Sequence, residues 1–182
     1  MLDKKQLRCD IKNKRLALSE STFQAMSLSC FNHLIDLLST KTFQKVGIYI
    51  DVRNEVSTRR IIEYLWQNNK EVYVPKCYEE GKMDFYKIDS WDDVSKGKYG
   101  ILEPNTNIKN NHLDIMITPL VSFNKEGYRL GAGGGYYDRF YEKYPMLFIG
   151  LAFSFQEKEF VEENHDLQFD YIVLENQILK YK

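Results

Sequence analysis

The amino-acid sequence predicts an α/β fold built on a mostly parallel sheet with helices on both of its faces. Three observations lead there. Residues 45–75 read as strand, loop, helix and strand, the unit that joins parallel neighbours through a right-handed crossover. Short apolar runs recur at Asp114–Thr118, Leu147–Phe153 and Tyr171–Leu174, as strands buried on both faces do. A glycine-rich loop at 131–135 opens onto a helical stretch from Tyr136 to Lys143, a junction that suits ligand binding in this class.

Taken in order, residues 3–17 form a first helix on which Lys4, Arg8, Lys12 and Arg15 fall within about one face at 3.6 residues per turn. A solvated charged face is the ordinary origin of such a stripe. Ser21-x-x-Gln24 has capping-box spacing, and Phe23, Met26, Cys30, Leu34 and Leu37 follow at intervals of three and four, so a second helix buries one stripe with His33 beside it. Lys45–Ile50 is a buried strand. The polar loop Asp51–Glu55 precedes Ser57 or Thr58, the N-cap of a third helix whose apolar face is Ile61, Ile62, Leu65 and Trp66. Glu71–Pro75 and Met83–Ile88 return as strands, and Tyr99–Pro104 is an extended, turn-bounded segment. Ligands of open α/β sheets sit beyond the carboxyl ends of strands. Glu55 occupies that position after its strand, where a glutamate either meets a substrate or is simply solvated. Near the last strand, His165, Asp166 and Asp170 read as ordinary loop residues.

The chain of 182 residues can bury one sizeable core and is read as a single domain over residues 1–182. Apolar residues make up 43% and aromatic residues 14%, which excludes a disordered chain. A formal net charge of −1 argues against nucleic acid or a membrane surface as partner and leaves a small molecule. Cys9, Cys30 and Cys77 are odd in number and far apart, without a Cys-x-x-Cys pair, so neither a disulfide framework nor a zinc site is expected. A reducing cytoplasm fits that usage. No apolar segment follows the basic first residues and no run of roughly eighteen apolar residues occurs, so neither a signal peptide nor a membrane span is expected.

Four glycines in five positions, at 131, 133, 134 and 135, surrender more backbone freedom than a loop needs unless bare main chain is required there. An anion cradled by main-chain N–H groups at a helix start supplies the reason, and Arg129 and Arg139 flank the loop. No Gly-Lys-Ser/Thr follows it, and tyrosine stands where a Rossmann loop has its third glycine, so neither familiar nucleotide fingerprint applies. Asp138, in the first turn, either shares a divalent cation with a phosphate chain or serves the helix dipole.

Read together with Lys4-Lys5-Gln6-Leu7-Arg8, the stretch Arg129–Arg139 resembles the 5-formyltetrahydrofolate cyclo-ligase family, also called 5,10-methenyltetrahydrofolate synthetases. The resemblance covers nearly the whole chain, through Tyr49–Thr58 with its Glu-Val-x-Thr, Val74-Pro75-Lys76 and Gly100-Ile101-Leu102-Glu103-Pro104. It implies a three-layer α/β/α fold and an enzyme that uses ATP and Mg²⁺ to convert 5-formyltetrahydrofolate to 5,10-methenyltetrahydrofolate, releasing ADP and phosphate. The formyl oxygen is phosphorylated and N10 closes the ring. Carried over by position, ATP falls to Lys4, Lys5, Gln6, Leu7 and Arg8 and to Arg129, Leu130, Gly131, Ala132, Gly133, Gly134, Gly135, Tyr136 and Tyr137, with Lys4 and Arg129 catalytic. Folate falls to Ile50 and Glu55, and magnesium to Asp138 and Asp170; Lys12 and Arg15 receive no role. The implied partners are two small molecules, 5-formyltetrahydrofolate and ATP, acting on a cytoplasmic monomer with no nucleic acid and no membrane. Asn124 departs from the aspartate common in the family's Phe-Asp pair, and Ala132 from a residue that is commonly larger.

Two rival readings stand beside this one. A folate- or nucleotide-binding protein could keep both sites without turnover. A phosphosugar isomerase or CoA-transferase-like enzyme on a related fold would turn over without ATP, and gives no reason for Lys4 and Arg8.

Overall fold

The computed structural model describes residues 3–182. In chain order it forms α1 (Lys4–Leu16), α2 (Glu20–Ser39), β1 (Lys45–Ile48), α3 (Arg59–Gln67), β2 (Glu71–Cys77), β3 (Met83–Ile88), β4 (Val94–Lys96), β5 (Leu102–Pro104), β6 (Ile115–Pro119), β7 (Ser122–Phe123), β8 (Arg129–Leu130), α4 (Tyr136–Lys143), β9 (Leu147–Leu151), β10 (Tyr171–Val173) and β11 (Ile178–Lys180). Seven strands make one sheet in the order β11-β10-β9-β6-β1-β2-β3. The inner five run parallel, and β3 and β11 pair antiparallel at its edges. Two small antiparallel ribbons, β4–β5 and β7–β8, stand outside it.

Side-chain alternation divides the core. Val46 and Ile48 of β1 join Val72, Val74, Ile115, Ile117 and Ile149 on the face covered by α2 and α3. Gly47 faces the other way, where a Cβ would meet Leu113 at 2.5 Å and the Phe85 ring at 2.9 Å. Phe85, Met116, Phe148 and Ile172 fill that second face beneath α4, whose Phe140 is buried among them. The result is the expected α/β/α layering, with α1 outside the layers. Its Leu7 and Ile11 pack with Leu130 and Phe160, against the ribbon that continues from the carboxyl end of β6.

Several local details differ from the sequence expectation for identifiable reasons. Ser19, not Ser21, caps α2, its Oγ accepting from the Thr22 N–H, while Gln24 is taken by Glu20. Thr58 stands at the start of α3 without capping it; its N–H and hydroxyl both donate to Asp51 Oδ1, closing the loop after β1. The edge strand β11 follows from antiparallel hairpin pairing with β10, which its short polar-flanked run does not announce.

Asp114 and Asp170 act at the amino-terminal end of the parallel strands. Asp114 Oδ2 accepts from the Lys45 and Gln44 N–H groups, and those bonds hold its carboxyl below the usual carboxylate range. Asp170 Oδ2 accepts from the Phe148 N–H at 2.7 Å, and the Asp170 backbone pairs with Phe148 and Tyr181. Because β9 and β10 are parallel, this end of the sheet is the one opposite Glu55 and the glycine-rich loop. Asp170→Ala removes the acceptor of the Phe148 N–H and should lower unfolding free energy by about 1–3 kcal/mol, with Asp170→Asn, which keeps an acceptor oxygen, much closer to the parent in urea denaturation.

Candidate active site

The order of the sheet changes direction between β1 and β6, with β2 on one side of β1 and β6 on the other, so the chain leaves their carboxyl ends in divergent directions and opens a crevice. Residues 49–58, Pro119, the glycine-rich loop and the start of α4 surround it. Three adjoining cavities fill this region. The first, of about 360 Å³, is polar and is lined by Lys4, Arg8, Arg129, Gly131, Gly133, Gly135, Asp138, Arg139, Glu142, Glu163 and Asp166. The second, of about 730 Å³, is bounded by Tyr49, Ile50, Tyr78, Ile101, Leu102, Pro119, Tyr136 and Tyr137, with Glu55 among them. A third, of about 120 Å³, shares Arg129 and Gly135 with the first and Glu55, Cys77, Pro119 and both tyrosines with the second. A charged ligand on one side and a flat apolar one on the other would meet there.

The loop is shaped for an anion. Gly133 (φ +108°) and Gly135 (φ +66°) take backbone conformations that L side chains avoid. Gly135 is the N-cap of α4 and supplies no side chain to the helix start, which leaves main-chain donors of the first turn for a ligand. Arg8 reaches across from α1, its Nε donating to the Gly131 carbonyl at 2.8 Å. Arg139 ties the loop from behind, donating to the Gly134 and Gly81 carbonyls.

Arg129 is buried, at 6% exposure. Its Nε and Nη2 donate to the Pro119 carbonyl at 3.3 and 3.1 Å, Nη1 meets Asp138 Oδ2 at 3.3 Å, and the guanidinium lies over the Tyr137 ring. Lys4 bonds Glu163 at 2.8 Å and Asp166 at 3.1 Å. Burial pulls the Lys4 pKa down, but these two acids outweigh it and leave the ammonium raised. Asp166 is thus a partner of the lysine that borders the polar cavity and no ordinary loop residue. Glu55 is mostly buried; burial raises its carboxyl above the usual range, while the Val52 N–H and Arg15 pull it back. Burial also raises the Tyr137 phenol.

The structure brings together Lys4, Arg8, Arg129, the 130–137 loop, Asp138, Ile50 and Glu55. It does not bring all of the run 4–8 inward. Lys5 and Gln6 are exposed, Gln6 being bonded to Asp10, and Leu7 is in the core, because 100° per residue leaves only positions 4 and 8 facing the cleft. Tyr136 and Tyr137 border the apolar cavity and not the polar one. Asp170 is remote, with its carboxylate engaged by Phe148. Tyr49, Tyr78 and Pro119 receive no site role from the sequence; their one positional signal is that each lies at or just past the carboxyl end of a strand.

No group of three or more His, Cys, Asp or Glu side chains that could hold a metal occurs among the described residues. Magnesium does not need one, since it binds through one or two carboxylates with phosphate oxygens and waters. Asp138, with Glu142 one turn further on the same helix and bordering the same cavity, suits that shared mode.

Comparison with known proteins gives one answer. The profile of the 5-formyltetrahydrofolate cyclo-ligase family matches residues 1–175. The 5-formyltetrahydrofolate cyclo-ligase of Haemophilus influenzae is 32% identical over 171 residues, covering 89% of this chain and 91% of its own. That of Mycoplasma pneumoniae is 33% identical over 178 residues, covering 94% and 98%. Among solved structures, the 5,10-methenyltetrahydrofolate synthetase of Aquifex aeolicus superposes with a TM-score of 0.87 at 31% identity, over 98% of this chain and 93% of that one. The synthetase from Mycoplasma pneumoniae gives 0.81 at 29% identity, over 96% and 99%.

The loop makes a prediction of its own. At Gly135 a Cβ would come within 2.6 Å of Arg139 Nη1, whereas at Gly133 nothing lies nearer than 3.9 Å. Gly135→Ala should cost about 1–2 kcal/mol in left-handed backbone strain, displace Arg139 and reduce thermal protection by inorganic tripolyphosphate. Gly133→Ala should show the backbone cost with less disturbance of Arg139, a contrast that paired melting curves with and without tripolyphosphate will read.

Proposed function

This chain belongs to the 5-formyltetrahydrofolate cyclo-ligase family, and we propose that its paired cavities bring ATP and 5-formyltetrahydrofolate together at the junction between Arg129 and Glu55. The protein is an enzyme that converts 5-formyltetrahydrofolate to 5,10-methenyltetrahydrofolate with ATP, releasing ADP and phosphate. The observation that carries the residue assignment is the small third cavity, which shares Arg129 with the polar side and Glu55 with the aromatic one.

A formyl oxygen is a poor leaving group on an amide carbon. Transfer of the γ-phosphoryl group to that oxygen breaks its bond to ADP and leaves a carbon activated between N5 and a phosphate ester. N10 then bonds to the carbon and loses its proton, and phosphate departs with the electron pair of the C–O bond. Phosphoryl transfer depends on positioning and charge stabilisation more than on covalent help from the protein. Arg129, fixed by Pro119, is pre-aimed for that task, and Lys4, Arg8 and the main-chain donors of the loop hold the phosphate chain. Lys4 exchanges Glu163 and Asp166 for phosphate oxygens. Such partly exposed pairs contribute only about 0–1 kcal/mol, so charge-assisted bonds to phosphate, at about 1.5–3 kcal/mol each, favour the exchange.

The aromatic cavity takes the folate. Ile50 and Tyr137 offer apolar faces to a flat heterocycle, and the Glu55 carboxylate accepts from its N–H donors without acting as a base. Magnesium is assigned to Asp138 and phosphate oxygens, with Glu142 in reach of the same cavity; when bound, it neutralises charge on the phosphates. Asp170 is left out of that set because its carboxylate caps β9. The proposal includes a cytoplasmic monomer whose partners are small molecules, and a net charge of −1 supports the exclusion of nucleic acid.

The direct test mixes purified protein, 5-formyltetrahydrofolate, ATP and Mg²⁺ and follows the near-ultraviolet absorbance of the methenyl product. Folate binding without product would favour the non-catalytic alternative, and turnover without ATP the isomerase or transferase one.

Arg8→Ala removes one charged contact to the phosphates and should raise the KM for ATP about 10- to 100-fold while leaving the KM for folate unchanged; less than a twofold rise in initial-rate measurements would remove Arg8 from the phosphate site. Asp138→Asn should shift the Mg²⁺ concentration needed for half-maximal rate upward. Asp170→Asn should leave that requirement as in the parent, and Mg²⁺ titrations of the two variants side by side will separate ligand from strand cap.

A further inference from the structure

We propose that Arg15 is a positioning residue for Glu55: from behind the cavity wall it keeps the folate-facing carboxylate charged and aimed, and it thereby joins the folate cavity to the helix that carries Lys4 and Arg8. The inference rests on the reading of this cleft as a cyclo-ligase site.

Arg15 borders none of the three cavities, yet it is buried to 6% exposure and its Nε has no hydrogen-bond partner among the described residues. A buried guanidinium is costly unless something compensates it. Its ion-pair partner is Glu55, with Nη1 and Oε1 3.8 Å apart. The other carboxylate oxygen, Oε2, accepts from the Val52 N–H at 3.1 Å. Glu55 is thereby oriented from two sides, and it lines both the apolar cavity and the junction.

The backbone under Glu55 is strained. Arg53 and Asn54 have φ of +51° and +55°, left-handed values in two consecutive non-glycine residues, within a turn closed by the Glu55 N–H on the Val52 carbonyl. That conformation is disfavoured for Arg53 above all, since asparagine tolerates it better, and it persists only where its surroundings over-determine it. Asn54 Nδ2 donates to the Arg15 carbonyl at 3.0 Å. Arg15 therefore grips this turn twice, by its main chain through Asn54 and by its side chain through Glu55.

The charged and titratable groups facing Glu55 are few. Arg15 comes from α1, Asp51 and Arg53 from the loop itself, and the Tyr49 and Tyr137 phenols from the end of β1 and from α4. Burial raises the Glu55 pKa, Arg15 and Arg53 lower it, and Asp51 raises it. With Arg15 gone, what opposes burial is weakened, so Glu55 would take up its proton at a higher pH. A protonated carboxyl accepts more weakly from the N–H donors of the heterocycle, so folate use should fall on the acid side first. Eleven residues separate Arg15 from Lys4, which returns it to nearly the same helix face about 16 Å along the axis. One helix thus serves the phosphates at one end and the folate carboxylate at the other.

The test compares the parent with Arg15→Met, Arg15→Lys, Glu55→Gln and Arg15→Met/Glu55→Gln. Carbon-13 NMR follows the Glu55 carboxyl titration, and kcat/KM for 5-formyltetrahydrofolate is taken against pH. Arg15→Met should move the Glu55 titration and the acid limb upward together by roughly one pH unit, Arg15→Lys should restore most of that shift, and the KM for ATP should not change. In the Glu55→Gln background, Arg15→Met should add no further loss of folate use. An unmoved Glu55 titration in Arg15→Met, or an equal loss in both backgrounds, would overturn the proposal. Should Arg15→Met fail to fold, the double variant decides: recovery of folding by Glu55→Gln supports the pairing, and no recovery overturns it. A parent protein that makes no methenyl product overturns the reading of the site, while the NMR titration still reports on Arg15.

Discussion

A single buried guanidinium, that of Arg129, holds the carboxyl end of β6, the glycine-rich loop and the first turn of α4 in one arrangement. Its bonds to the Pro119 carbonyl attach it to the sheet, its contact with Asp138 attaches it to α4, and its face covers Tyr137. A charge so far from water persists only when its hydrogen bonds and ion pair offset desolvation. Here they do so with groups that already belong to the sheet end and to the loop, so a cation bordering the polar cavity is fixed before any ligand arrives. That is preorganisation in the electrostatic sense, because the donor need not reorganise as charge develops.

The two sides of the cleft balance their charges differently. On the side of the polar cavity, Lys4 faces Glu163 and Asp166, with His165 beside Glu163, in contacts open enough to water to be exchanged. On the side of the apolar cavity, Glu55 faces Arg15 in a drier setting, where loss of either partner would strand a charge. The first arrangement suits a site that must admit a polyanion, and the second suits one that must hold an acceptor steady against a flat ring.

Helix α1 connects these sides although it belongs to neither layer of the sandwich. Leu7 and Ile11 anchor it on Leu130 and Phe160, which fixes its rotation. Lys4 and Arg8 then face the loop, and Arg15 faces the turn after β1. Lys12 is left exposed. The same 3.6-residue period that buries two apolar side chains therefore distributes the cations, and a rotation of the helix would disturb both cavities together.

Much of the fold was legible in the chain. Alternating apolar residues in β1, the apolar stripe of α2 and the compact runs of β6 and β9 carry their periods locally, and α4 begins and ends where its glycine cap and residue pattern predict. The motif around the loop, with Lys4 and Arg8, identified the family and its reaction. What local pattern could not convey was which neighbours a charge would meet. Lys5 and Gln6 lie beside Lys4 in sequence and away from it in space, Asp166 became a partner of Lys4, and Asp170 turned to Phe148. Arg15 looked like one more member of a solvated stripe until packing removed it from water and set it against Glu55, 40 positions away in sequence. Periodicity and glycine chemistry are short-range properties that a sequence determines by itself. The burial and pairing of charges depend on what the folded chain brings together, because desolvation and Coulomb interaction act across space, and only the tertiary structure decides them.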